Sequence, residues 1–379
     1  MSATDNTWQG HYLRLEDFIS KNEEICITPD YTRIPKNIRE EFYTYFDAVR
    51  KAFIKENMPD LLSDAIILRD NIDYEEQGAI KLLNLEAVEY NPVLQWLLND
   101  PQGFMLREIF DPLFGLLKRK HEIGEFGQIA KHNVISLVKD IFPRGFEKWI
   151  ELSLLQLFKA DKMFQFEECE VPLADAHRAG GNVIEEIPLP VESSHLIFRS
   201  EPERAFALPS FTIHSAFLER YVSVRSDIQN AMAIANNVDE RNEWIRFDLA
   251  GHIMEALKKP GITLVYVASE PGDIALIADQ KKIKRPDMIL VCSVFNDLSE
   301  DNLETLMLLR NNLKPKIGSF LISKHNVSEK IHKALISAEE SENEVCTSPI
   351  KILITDYRKE GLVPILNALQ QWAVDTASG

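Results

Sequence analysis

The residues whose type and spacing could do chemistry are two aspartates, one serine and a basic run. Asp248 stands in Phe247-Asp248-Leu249, and Asp273 in Gly272-Asp273-Ile274 just after an apolar stretch. Ser293 closes a second apolar stretch, and Lys281-Lys282-Ile283-Lys284-Arg285 lies between the two. Carboxylates hold a hard divalent cation such as Mg²⁺. A cluster of ammonium and guanidinium groups contacts phosphate oxygens. The ordinary alternatives are a turn residue capping the next element, for Asp273, and a solvated basic turn, for Lys281, Lys282, Lys284 and Arg285.

Other chemistries lack their signatures. There is no GxGxxG, no GxxxxGK[ST] and no GxSxG, so the usual phosphate loops and the nucleophile elbow are missing. The turn Ser269-Glu270-Pro271-Gly272-Asp273 has one glycine and two acids, which disfavours a pyrophosphate there. His252 and Glu255 form HIME without the second histidine of a zincin. The four cysteines are scattered with no CxxC pair, which suits a reducing cytoplasm and offers no zinc site of the usual spacing.

The elements that must position these residues are legible from periodicity. Apolar runs predict strands at Ile262–Ala268, Met288–Val294, Ile317–Ser323 and Lys351–Thr355. Helices are expected at Ser299–Asn312 and Ser328–Glu340, packing Leu303, Leu306, Leu309, Leu313, Ile331 and Leu335 on that sheet. Upstream, between Phe164 and Asp227, short β-like runs appear: Gln165–Val171, Val183–Pro188, His195–Arg199, Phe206–His214 and Tyr221–Arg225. They make either a separate antiparallel sheet or an extension of the later one. Helices are expected at Asp227–Asn236 and Glu240–Lys258.

The first 160 residues read as helical. A short helix is expected at Arg14–Lys21, and a long one opened by Pro35, with Ile38, Phe42, Tyr45, Phe46, Val49 and Phe53 on one stripe. Further helices are expected near Tyr74–Asn84, Pro92–Leu98, Met105–Lys120, Phe126–Ile141 and Phe146–Phe158, with Pro143 as punctuation. The fold class is therefore mixed α/β. The expected segments are a helical domain over 1–160, a β-rich segment over 161–238, and a C-terminal α/β domain with a sheet flanked by helices over 239–379.

The order of elements in the last third resembles the core of the restriction-endonuclease-like PD-(D/E)XK superfamily. That resemblance implies an acidic residue ending one strand and a Glu-x-Lys pair on the next, together holding Mg²⁺ for phosphodiester cleavage. It assigns Asp273 to the first acidic position and Asp248 to an accessory one. Ser293 and Phe295 then stand where the family has glutamate and lysine. A serine supplies no charge to a metal, and a phenylalanine cannot orient a water, so the resemblance implies a catalytically degenerate copy.

The net charge is −17, with most of the excess before Gly251. Such a surface disfavours nucleic acid as a partner and leaves protein as the expected one. No apolar run reaches the ~20 residues that a membrane span needs, and the first residues lack a secretory pattern. The expectation is a cytoplasmic, non-catalytic interaction or regulatory protein with no cofactor. A metal-dependent nuclease or phosphoryl-transfer enzyme, which would need Mg²⁺, is the first alternative. A nucleotide or small-ligand sensor on a Rossmann-like unit is the second.

Overall fold

The computed structural model describes residues 6–166, 190–198, 210–226, 244–245, 255–257, 259–271, 277–278, 282–295, 299–333, 335 and 350–377. The chain clusters into two compact units, Met1–Asp70 with Pro92–Phe142, and Asn71–Asn91 with Pro143–Gly379.

The first unit is built on aromatic helix stripes. Helix α1 (Trp8–Lys21) is capped by Thr7, whose hydroxyl accepts from the Gly10 N–H at 3.1 Å. A two-residue hairpin, β1 (Cys26–Ile27) and β2 (Thr32–Arg33), leads to α2 (Arg39–Asn57). The expected stripe is present: Phe42, Phe46, Val49 and Phe53 are buried. Phe46 meets Phe114 at 4.7 Å and Phe110 at 5.3 Å, while Trp8 sits edge-on to Phe53 at 5.5 Å. Pro59 opens α3 (Pro59–Leu83), because proline is tolerated in the first helical turn. The helix therefore starts well before the expected Tyr74. After β3 (Ala87–Tyr90) come α4 (Pro92–Asn99) and α5 (Pro101–Leu117), the latter capped by Asp100.

Pro143 does not interrupt. The two helices expected around it are one, α6 (Ile123–Leu157). An internal proline costs about 3 kcal/mol. Phe146, Trp149, Ile150 and Leu154 on this helix are almost fully buried, and each such side chain contributes about 1.5–3 kcal/mol. Burial wins over propensity.

The second unit carries an eight-stranded sheet. Its strands from the middle of the chain are β4 (Ala160–Phe166), β5 (Pro190–Glu192), β7 (Phe211–Ser215) and β8 (Arg220–Arg225); β6 (His195–Phe198) pairs separately with β3. The C-terminal strands are β10 (Ile262–Ala268), β13 (Met288–Ser293), β14 (Gly318–Ser323) and β15 (Ile350–Ile354). The order is β15-β14-β13-β10-β8-β7-β4-β5, so the middle strands extend the C-terminal sheet. All pairings from β4 to β13 are antiparallel; β13, β14 and β15 run parallel. Strands β10, β13 and β14 are buried at every position, as a sheet covered on both faces requires. Helix α7 (Ser299–Leu313) places Leu303, Leu306, Leu309 and Leu313 in the core beside Ile331. A short 3₁₀ turn and α8 (Val363–Ala377) close the chain.

Two expectations are corrected in a small three-stranded sheet of β9 (Trp244–Ile245), β11 (Ile277–Ala278) and β12 (Lys282–Lys284). Trp244 and Ile245, read as helical, pair with Lys284 and Ile283. Part of the basic run is likewise strand and not turn. Pairing partners from distant positions override the local pattern. The expected strand Val183–Pro188 and helix Asp227–Asn236 lie outside the described residues, as do residue 334 and the part of Ser328–Glu340 beyond residue 335.

Candidate functional site at the carboxyl end of the parallel strands

Strands β13, β14 and β15 are parallel and end at one edge of the sheet. Antiparallel β10 brings its first residues to the same edge, where the Cys292 N–H donates to the Gly261 carbonyl at 2.8 Å. Gly261 has a φ of +83°, and a side chain there would meet Cys292 Cβ at 3.1 Å, so glycine is needed on both counts.

Of the residues singled out by sequence, the described Ser293 and Arg285 lie at opposite ends of β13. Ser293 ends β13, but it is 1% exposed and its hydroxyl points back to the Phe295 carbonyl at 3.5 Å. Its own carbonyl accepts from the Lys324 N–H at 2.9 Å. Arg285 lies before the other end of β13, and its Nε donates to the Lys314 carbonyl. Lys282 and Lys284 contribute backbone to β12. Asp248, Asp273 and Lys281 lie outside the described residues. Among the described residues, no group of three or more His, Cys, Asp or Glu side chains is placed to hold a metal.

Two other constellations appear. The first is a cleft of about 360 Å³ where β14 and β15 end, lined by Lys324, His325, Thr355, Asp356, Arg358 and Glu360 among others. Its floor is held by hydrogen bonds from Thr355 N–H to the Ser323 carbonyl at 3.0 Å and from Arg358 N–H to the Thr355 carbonyl at 2.7 Å. Asp356 and Tyr357 both adopt left-handed backbone, with φ of 41° and 57°. For non-glycine residues this conformation costs about 1 kcal/mol or more each. A Cβ on Gly361 would lie 2.6 Å from the Ile354 carbonyl oxygen, so only glycine lets the following turn close on the strand end. The Tyr357 ring is wedged edge-on against Phe146 at 5.4 Å and Trp149 at 5.3 Å, and the Lys324 ammonium sits over it at 5.6 Å.

The second constellation is sealed from solvent. Glu147, Lys148 and Glu151 on α6 are each 1–2% exposed. Lys148 Nζ lies 3.2 Å from Glu151 Oε2, 3.6 Å from Glu147 Oε2 and 2.7 Å from the Ser226 hydroxyl. The Thr263 hydroxyl donates to Glu147 Oε1 at 2.9 Å, with Glu151 Oε1 at 3.5 Å. One ammonium and one hydroxyl thus bridge two carboxylates, tying α6 to β10 and to the end of β8. With no access for a substrate, the cluster is a structural joint.

Sequence reasoning missed both constellations. Arg144, Glu147, Lys148 and Glu151 follow helical spacing and read as a solvated face. The cleft comes from two loops with no motif between them. Burial next to the two glutamates pushes the Cys292 thiol well above its ordinary range, burial being the larger cause. Only the thiolate alkylates readily. Iodoacetamide at pH 8 with site-resolved mass spectrometry is expected to modify exposed Cys26 in the native protein and spare Cys292 until denaturant is added.

Compared with family models, with curated proteins and with solved structures, the chain matches none.

Proposed function

We propose that this is a non-catalytic interaction or regulatory protein whose C-terminal sheet is a degenerate relative of the restriction-endonuclease-like PD-(D/E)XK domains. The observation that carries this reading is the state of β13. The strand that should present a metal-binding acid ends in a buried serine engaged with its own turn, followed by Val294 and Phe295. The strand connections agree with the resemblance: β10 and β13 are antiparallel, and α7 then leads to parallel β14. The partner is a protein, in keeping with the acidic surface. No helix among the described residues is long and apolar enough to cross a membrane.

The test is a cleavage assay with single- and double-stranded DNA and RNA in Mg²⁺, comparing the native protein with Asp273→Ala. No cleavage above the metal-free control is expected from either, and the variant should lose less than about 1 kcal/mol of stability. Mg²⁺-dependent cleavage that Asp273→Ala abolishes would replace this reading with that of a metal-dependent nuclease, with Asp248 and Asp273 as ligands.

A second reading, a small-ligand sensor, is favoured by the cleft at the ends of β14 and β15. Ligands of open α/β sheets bind outside the carboxyl ends of their strands. Support for a Rossmann-like unit comes from the parallel pairing of β13, β14 and β15, whereas β10 is antiparallel to β13.

A further inference from the structure

We infer that the cleft at the ends of β14 and β15 takes a small sugar phosphate; this rests on the small-ligand reading above. Four charged side chains line it, Lys324 and Arg358 against Asp356 and Glu360. Their formal charges cancel, so a simple anion gains no net field. The ligand that satisfies such a lining carries an anionic group at one end and hydrogen-bond donors at the other.

The cationic side suits a phosphate. Lys324 is 5% exposed at the very end of β14, and Arg358 reaches the cleft from the turn after β15. A guanidinium donates to two oxygens of one anion, and the Lys324 ammonium, over the Tyr357 ring, adds positive charge beside it. Thr355 adds an independent sign. It lines the cleft, it is 2% exposed, and its hydroxyl has no hydrogen-bond partner among the described residues. A buried hydroxyl left unmatched costs about 1–3 kcal/mol, and here it lies under the floor of the cleft.

The acidic side suits sugar hydroxyls, which donate to carboxylates. A nucleobase fits less well. Among the described residues no Phe, Tyr or Trp lines the cavity; Tyr357, beside it, is already held between Phe146, Trp149 and the Lys324 ammonium. Asp356 and Tyr357, in left-handed backbone, make the turn between Thr355 and Arg358, both of which line the cleft.

The test is calorimetric titration and thermal melting of the full chain with ribose 5-phosphate and glucose 6-phosphate, alongside ribose, inorganic phosphate, adenosine monophosphate and glycine. A sugar phosphate is expected to bind saturably and to raise the melting temperature with concentration. Arg358→Ala should weaken it about tenfold or more. Glu360→Gln should weaken the sugar phosphate but not inorganic phosphate. Both residues are exposed, so the unliganded variants should melt like the native protein. Equal binding to Arg358→Ala would overturn the proposal. If only adenosine monophosphate or glycine binds, in a manner sensitive to Arg358→Ala, the sugar-phosphate assignment falls and the small-ligand reading stands. If nothing binds saturably, both fall.

Discussion

Lys148→Met is expected to cost the fold about 3–5 kcal/mol, because it removes the ammonium that two buried carboxylates share. The methionine keeps the aliphatic stem, so little packing is lost and the effect is that of the missing ammonium. Native Lys148 lies within 3.2 and 3.6 Å of Glu151 and Glu147 and donates to Ser226 at 2.7 Å. Without it, the two acids lose the ammonium they share, while Thr263 still donates to Glu147. Urea unfolding should show a lower midpoint at an unchanged m-value. Adding Glu147→Gln and Glu151→Gln to Lys148→Met should recover much of the loss, since neutral amides carry a far smaller desolvation cost. A loss below about 1 kcal/mol for Lys148→Met would mean that the cluster is not the joint between α6 and the sheet described above.

Asp287→Ala is expected to cost about 2–4 kcal/mol, for a different reason. Asp287 is 0% exposed and joins three strands. Its N–H donates to the Val265 carbonyl, and its carbonyl accepts from the Ile317 N–H, both at 2.8 Å. Its carboxylate accepts from the Val267 N–H at 2.6 Å and faces Lys316 at 3.8 Å. Alanine keeps the backbone bonds but orphans a buried N–H on β10. Asp287→Asn keeps an acceptor for Val267 and should cost less than half as much. Hydrogen exchange at the Val267 amide separates the two: it should accelerate strongly in the alanine variant and only slightly in the asparagine one. Asp287 also stands six residues before Ser293 on an extended strand, about 20 Å away. It therefore stands too far from the carboxyl end of β13 to act there.

What the sequence determined by itself were the elements whose pattern is self-contained. Ile262–Ala268 is a strand over the expected residues, and β13, β14 and β15 lie within one residue of expectation. Each is a short, mainly apolar run bounded by turn signals, and β10, β13 and β14, buried at every position, need nothing else to be recognised. The leucines of α7 and the phenylalanines of α2 repeat every three or four residues, which settles both the helix and its buried face.

Only the tertiary structure decided what depends on residues far apart in the chain. Strand order and direction are such properties: the antiparallel β10–β13 pair, and the joining of β4, β7 and β8 to the C-terminal strands, leave no mark in local periodicity. Pro143 passes through a continuous helix because burial on that helix outweighs the local cost. Trp244 and Ile245 are strand because β12 pairs with them. The two polar constellations are of the same kind. Thr263 meets Glu147 across 116 residues, and Lys148 meets Ser226 across 78. The cleft joins the turn after β14 to the turn after β15. A charged residue on a helix reads as solvated until a sheet is laid over it, and a hydroxyl at a strand end reads as ordinary until its neighbours leave it without a partner. Period and propensity are set within a few residues, whereas burial and hydrogen-bond satisfaction are set by whatever the fold brings alongside.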